Sequence, residues 1–254
     1  MNRVVGIIPA RYESSRFPGK PLVRILGRTM IDRVSSIAAE ALGQENVYVA
    51  TDDERIRAEV CARGYHCVMT GTALTGTDRT WQAAEQIDAD TYVNIQGDEP
   101  MLDPRDILRV VEAKRLHPAS VINGYCALGS AEDPASPNIP KVAVGDQGQL
   151  VYMSRSPIPG CKTTPTHTFH KQVCIYGFNL EQLRAFGSLG RKSRLEAIED
   201  IEILRFLDLG IPVLMTETSG ASLAVDVPED VARVEAALLD ATADLSIRET
   251  MACS

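Results

Sequence analysis

The chain has 254 residues and a formal net charge of −8, from 26 Lys+Arg against 34 Asp+Glu. Hydrophobic residues at 44% and charged residues at 24% give the ordinary globular balance, which excludes a disordered or collagen-like chain and is ample for a core without staples. The acidic balance argues against a nucleic-acid partner, and no apolar run approaches the roughly 18 residues that a membrane span needs.

Residues 4–8, VVGII, form a short apolar run ending at Pro9, which predicts a buried strand followed by a long loop. The spacing of Met30, Ile31, Val34, Ile37, Ala38 and Leu42 predicts an amphipathic helix over 29–42 that stops at Gly43. NVYVAT (46–51) is the next strand. DDERIRAEVCARG (52–64) is a helix, with Asp52 as its N-cap and Gly64 as its stop. YHCVMT (65–70) is a strand, TDRTWQAAEQI (77–87) a helix and TYVNIQ (91–96) a strand. This alternation argues for a parallel sheet covered on both faces. In such sheets ligands bind beyond the carboxyl ends of the strands.

The second half changes character. DPRDILRVVEAKRLHP (103–118) reads as a helix, KVAVGDQGQLVYMS (141–154) as two strands around GDQG, and KQVCIYGFN (171–179) as another strand. RLEAIEDIEILRFLDLG (194–210) is predicted as one strong helix. IPVLMTET (211–218) and SLAVDV (222–227) are the last strands, and PEDVARVEAALLD (228–240) is the last helix, with Pro228 at its first position. The tail after residue 241 is expected to fray. There is no internal repeat. Cys61, Cys67, Cys126, Cys161, Cys174 and Cys253 are scattered without CxxC spacing, as reduced thiols are. His66 beside Cys67 has no second pair to complete a zinc site, and HxxH at His167 and His170 reads as a polar loop. The N-terminal MNRVVGIIPAR lacks a secretory apolar region and cleavage site, which predicts a cytoplasmic protein.

Four stretches carry chemistry. RYESSRFPGKP puts Arg11, Arg16 and Lys20 in one loop after the first strand, where forked guanidinium donors, an ammonium and backbone amides suit a polyphosphate. It is neither a Walker A loop nor GxGxxG. VNIQGDEP delivers Gln96 and Asp98 to the sheet edge. A carboxylate facing a triphosphate there suits magnesium, which takes one or two carboxylates plus phosphate oxygens. AVDVPEDV supplies Asp226, either as a second carboxylate for the same ion or as a helix cap. TGTDR supplies Gly76, which permits close backbone approach, and Arg79, which can reach a base carbonyl or a phosphate. The stretch also reads as a plain helix start.

In chain order, IIPARYESSRFPGKPL, VATDDERI, TGTDR, VNIQGDEPM, YMSRSPIP, CIYGF, LEAIEDIEILRFL and AVDVPEDVARV resemble the pattern of the CMP-KDO synthetases (3-deoxy-manno-octulosonate cytidylyltransferases) from about residue 4 to 238. The resemblance implies a Rossmann-like α/β nucleotidyltransferase fold: a mostly parallel sheet with helices on both faces and a smaller mixed insertion. It implies one domain over 1–254, with an acceptor-side and dimerisation segment at roughly 120–195. It also implies CTP and Mg2+ as requirements, a CMP-sugar acid as product and a homodimer. Arg11, Arg16 and Lys20 would hold the triphosphate, with Ala10 and Gln96 beside the nucleotide and Gly76 and Arg79 near cytosine. Asp98 and Asp226 would hold magnesium, and Arg11, Lys20, Asp98 and Asp226 would carry the reaction. Gln96, Arg155, Lys171, Gln172, Tyr176, Glu199 and Glu202 are the acceptor-side candidates. Arg155 and Lys171 suit a carboxylate or phosphonate, and Glu199 and Glu202 would share one helix face.

Three departures from that pattern fall on the acceptor side. GTALTG is one residue shorter than the family's usual DHxSG stretch. Gln172 stands where the family has a histidine facing the sugar acid, and Ile203 where it has a glutamine. An unpaired buried polar group is costly, so such exchanges suggest a changed acceptor. The expected reaction is cytidylyl transfer from CTP to an acid with release of pyrophosphate. The acceptor is KDO, a modified octulosonate, another ulosonic acid or phosphonoformate. Two other readings stay open: a non-catalytic nucleotide-binding module, and transfer of another nucleotide to a sugar phosphate.

Overall fold

Alternating faces of the central strands bury two apolar layers. Val5 and Ile7 of β1 (Val4–Pro9) and Tyr92 of β6 (Thr91–Ile95) enter one layer. Ile8 of β1 and Val93 and Ile95 of β6 enter the other. This period of two is what a strand covered on both faces requires. The computed structural model describes residues 2–14, 17–130, 132–163, 167–220 and 223–252, with side chains described as far as residue 241.

The remaining strands of the main sheet are β4 (Val47–Thr51), β5 (His66–Met69), β7 (Val121–Ala127), β10 (His170–Phe178) and β11 (Val213–Glu217). Their order is β11-β7-β10-β6-β1-β4-β5. β6, β1, β4 and β5 run parallel, as do β7 and β11, while β10 runs antiparallel between β6 and β7. The hairpin β8 (Lys141–Val144) and β9 (Leu150–Ser154) branches from β10. A two-stranded ribbon, β2 (Arg24–Ile25) and β3 (Arg28–Thr29), stands apart. The α/β fold is thus mostly parallel with a smaller mixed portion. α1 (Met30–Leu42), α2 (Glu54–Ala62) and α4 (Pro104–Leu116) contribute Ile31, Val34, Ile56, Ile107 and Val110 to one layer. α3 (Gly76–Ala84), α5 (Leu180–Ser188) and α7 (Leu204–Asp208) contribute Ala83, Leu183, Phe186, Leu204 and Phe206 to the other.

Several predicted elements are corrected. Asp53, not Asp52, caps α2, by accepting from the Arg55 amide. In the described part of the strand predicted over SLAVDV no strand forms: residues 223–226 are irregular, and the Val225 amide bonds Asp98 O. The last helix, α8 (Asp230–Ala252), starts two residues after Pro228 and continues past residue 241. α5 was missed, although Asn179 and Gln182 form a capping box at its start.

The largest correction concerns 194–210, which is two helices, α6 (Arg194–Glu199) and α7. Asp200 ends α6 in the left-handed region, at φ 52° and ψ 48°. Its amide closes on Glu196 O at 2.8 Å. Arg155 donates to the carbonyls of Glu199 and Asp200 at 2.5 and 2.8 Å, satisfying orphan acceptors of that last turn. A distant arginine therefore ends a helix whose own periodicity would continue.

Candidate active site

The loops after β1 and β6 and the start of α3 open on one cleft of about 280 Å³. β1 delivers Ala10 and Arg11. Lys20 follows Gly19, and its ammonium donates to Asp98 Oδ2 at 2.8 Å and to Val225 O at 3.0 Å. The Val225 amide returns to Asp98 O at 2.9 Å, which draws residues 223–226 against the end of β6 and sets Asp226 on the same wall. The Asp230 carboxylate accepts from the Asp226 and Val227 amides at 2.8 and 3.1 Å, fixing that turn.

α3 forms the opposite wall. Its first residue is Gly76, where a Cβ would lie 3.1 Å from Gln96 Nε2, so a larger residue there would press on the Gln96 side chain. Glu202 reaches the same helix end and accepts from the Gly76 and Thr77 amides at 3.2 and 2.8 Å. Burial raises its pKa above the ordinary glutamate value, against the lowering by those two amides. Arg79 is held by Asp52 at 2.8 Å and by Thr70 at 2.5 Å. Behind the wall Arg205 is fully buried. It donates to both oxygens of Glu196 at 2.6 Å and to Asp78 at 2.8 and 3.2 Å, and it stacks on Phe186. Burial works against its charge, but the hydrogen bonds to Glu196 and Asp78 outweigh that, so its pKa lies above the ordinary arginine value.

Ala10, Arg11, Lys20, Gly76, Arg79, Gln96, Asp98, Glu202 and Asp226 all line the cleft. Arg16 lies outside the described residues. The structure places the other acceptor-side candidates off that lining. Arg155 spends its guanidinium on the carbonyls of Pro137, Glu199 and Asp200. Lys171 pairs with Glu132 at 2.5 Å. Glu199 accepts from Ser154 Oγ at 2.7 Å and from the Arg155 amide at 2.9 Å, so it shares no face with Glu202. The Gln172 amide donates to Asn123 Oδ1 at 3.0 Å and to Tyr176 Oη at 3.2 Å. Tyr176 is buried, which pushes its phenol well above the ordinary value and keeps it neutral. Ile203 lies in the apolar layer beside Phe206 and gives no ground for a changed acceptor.

Lys192, Glu196 and Asp200 complete the cleft and were not singled out from sequence. Ser193-x-x-Glu196 was a readable capping signature, but nothing local shows that this cap borders a site built from loops far away in the chain.

Among the described residues, no group of three or more His, Cys, Asp or Glu forms a metal cage. Two carboxylates on one wall of a cleft suit magnesium, which keeps water and phosphate oxygens in its remaining positions. No helix among the described residues is long and apolar enough to cross a membrane.

Sheet order and cleft together define a nucleotidyltransferase of the α/β class. The chain belongs to the cytidylyltransferase family, whose model matches residues 5–213. It is 37% identical to the 3-deoxy-manno-octulosonate cytidylyltransferase of Escherichia coli, over 96% of this chain and 99% of the relative. It is 38% identical to the 8-amino-3,8-dideoxy-manno-octulosonate cytidylyltransferase of Shewanella baltica, over 90% and 96%. A solved CMP:2-keto-3-deoxy-manno-octonic acid synthetase complexed with CTP superposes with a TM-score of 0.87 at 37% identity, covering 94% of this chain and 99% of that one.

Proposed function

We propose that the protein transfers CMP from CTP to an eight-carbon ulosonic acid, 3-deoxy-manno-octulosonate or a close derivative, and releases pyrophosphate. The observation that carries this reading is the meeting of Lys20, Asp98 and Asp226 in one cleft that also holds Arg11 and Gln96. An oxygen of the acceptor attacks the α-phosphorus, and the bond to the β-phosphate oxygen breaks. Arg11 and Lys20 neutralise the leaving pyrophosphate, and Gly76 and Arg79 border the base. Their contribution is positioning and charge neutralisation, with Arg79 preset by Asp52 and Thr70. Asp98 and Asp226 would hold Mg2+, which when bound lowers the repulsion between a phosphate and an anionic acceptor. Lys20 occupies one oxygen of Asp98 here, so it must share or leave that carboxylate when the ion binds.

A specific observation favours an amino-bearing acceptor as the second reading. It is the 38% identity to the 8-amino-3,8-dideoxy-manno-octulosonate cytidylyltransferase of Shewanella baltica; of the carboxylates on that side of the cleft, Glu196 is spent on Arg205 and Asp200 is paired with Lys192. A homodimer in the cytoplasm completes the proposal. Its support is the family resemblance.

The test is pyrophosphate release with CTP, UTP, ATP and GTP against a panel of acids: the octulosonate, its 8-amino derivative, other ulosonic acids and phosphonoformate. CTP with an octulosonate should give the highest kcat/KM. A preference for phosphonoformate would overturn the acceptor assignment, and release from none would leave a nucleotide-binding module. Size-exclusion chromatography with light scattering tests the dimer.

A further inference from the structure

The loop that carries Arg11 and Lys20 has an anchor outside the cleft. Tyr12 has two partners. One is Gly19, at φ +72°, where a Cβ would meet the Tyr12 side chain at 3.2–3.3 Å. The other is Arg55, whose guanidinium carbon stands 3.2 Å from the ring centroid. The Gly19 amide also bonds Tyr12 O at 2.8 Å, closing the loop on itself. Arg55 belongs to α2 and is aimed by Asp53, which accepts from its Nε at 3.0 Å and its Nη2 at 2.6 Å. Asp53 is itself the cap of α2, so one carboxylate fixes both the helix start and the arginine. The stack therefore runs from a helix packed on the sheet, through Arg55 and Tyr12, to Gly19, and the next residue is Lys20. Neither Tyr12 nor Arg55 lines the cleft.

We infer that Arg55 and Tyr12 are positioning residues for the phosphate-binding loop, a clamp that holds Lys20 in reach of Asp98 and Arg11 at the cleft before nucleotide binds. The inference rests on the proposed CTP site for its effect on binding, but not for the clamp itself. A loop rich in cations would otherwise have to be ordered by the nucleotide, at a cost in affinity. A guanidinium over an aromatic ring at a partly exposed site is a modest contact, so the effect expected is severalfold and not an abolition. A ring without the hydroxyl should serve as well, since Arg55 and Gly19 use the ring and the Gly19 hydrogen bond uses the backbone.

The experiment uses the whole chain and its variants Arg55→Ala, Tyr12→Ala, Tyr12→Phe and the Arg55→Ala/Tyr12→Ala pair. Amide hydrogen exchange of the segment 12–22 is read without nucleotide, and CTP affinity is read by calorimetry. Arg55→Ala and Tyr12→Ala should each speed exchange in the segment and weaken CTP about fivefold, with KM for the acceptor unchanged. Tyr12→Phe should match the wild type. The double variant should lose no more than the worse single one, because both remove the same clamp. Wild-type exchange in both alanine variants, or additive losses in the pair, would overturn the clamp. Faster exchange with unchanged CTP affinity would keep the clamp and refute its link to nucleotide. A wild type that does not bind CTP at all would instead overturn the assignment of the cleft, while exchange still decides the clamp.

Discussion

The two halves of the site are built differently. The half proposed to hold the nucleotide comes from the ends of parallel strands: β1 leads to Arg11 and Lys20, β6 to Gln96 and Asp98, and the sheet brings both to one edge. Its side chains face a common cleft. The acceptor-side candidates just after β9 and on β10 are engaged with their own surroundings: Arg155 with three carbonyls, Lys171 with Glu132, and Gln172 with Asn123 and Tyr176. The far wall of the cleft comes instead from α6, the break at Asp200 and Glu202. Strand-end chemistry follows from topology, whereas the far wall depends on where a helix stops.

The largest effect should come from the carboxylates. Asp98→Asn and Asp226→Asn should each reduce turnover by about two to three orders of magnitude, the range for removing a preorganised charge from a transition state. A fold unchanged by circular dichroism must accompany the loss. Near wild-type turnover in either variant would break the assignment of the nucleotide half.

Arg205→Ala tests the support of the far wall of the cleft. It leaves Glu196 and Asp78 buried without their cation, and such a loss costs about 3–5 kcal/mol. Urea unfolding should show a lower midpoint. An unchanged midpoint would mean that the buried triad does not hold α6 and α7 against α3.

Lys20→Ala should weaken CTP about tenfold, equivalent to roughly 1.4 kcal/mol, and should slow turnover as well, because charge builds on the leaving pyrophosphate. A change confined to the acceptor KM would move the loop to the other substrate.

Glu202→Gln sharpens the comparison through pH. Burial raises the pKa of Glu202, so the folded protein favours the protonated acid. Its contribution to stability is full below the ordinary value of 4.5 and is lost as pH rises through the raised value. The variant's Tm minus that of the wild type should therefore grow from acid to neutral pH. A difference that shrinks would show that the two amide hydrogen bonds outweigh desolvation.

The smallest effect is expected from Lys171→Met, which removes one half of a partly exposed ion pair. The acceptor KM should stay within about twofold. A tenfold rise would show that Lys171 leaves Glu132 to meet the acceptor, returning β10 to the site.

The sequence by itself determined the alternation of strand and helix, the placement of Arg11, Lys20, Gln96 and Asp98 after buried strands, and hence the edge on which the cleft lies. Those features are local: apolar period and the residue that follows a strand end need no knowledge of distant chain. Residues 194–210 show the opposite case. Their apolar spacing is that of one helix, yet Arg155 takes the last carbonyls of α6 and Asp200 turns left-handed. Only that tertiary contact frees Glu202 to cap α3 and separates it from Glu199. Likewise SLAVDV has strand-like composition, yet residues 223–226 are irregular and the Val225 amide bonds the Asp98 carbonyl instead. Periodicity fixes which face a segment buries. Where a segment ends, and which polar groups are spent before a ligand arrives, is decided by hydrogen-bond partners far away in the chain, because buried carbonyls and carboxylates must be satisfied by whatever the fold brings near.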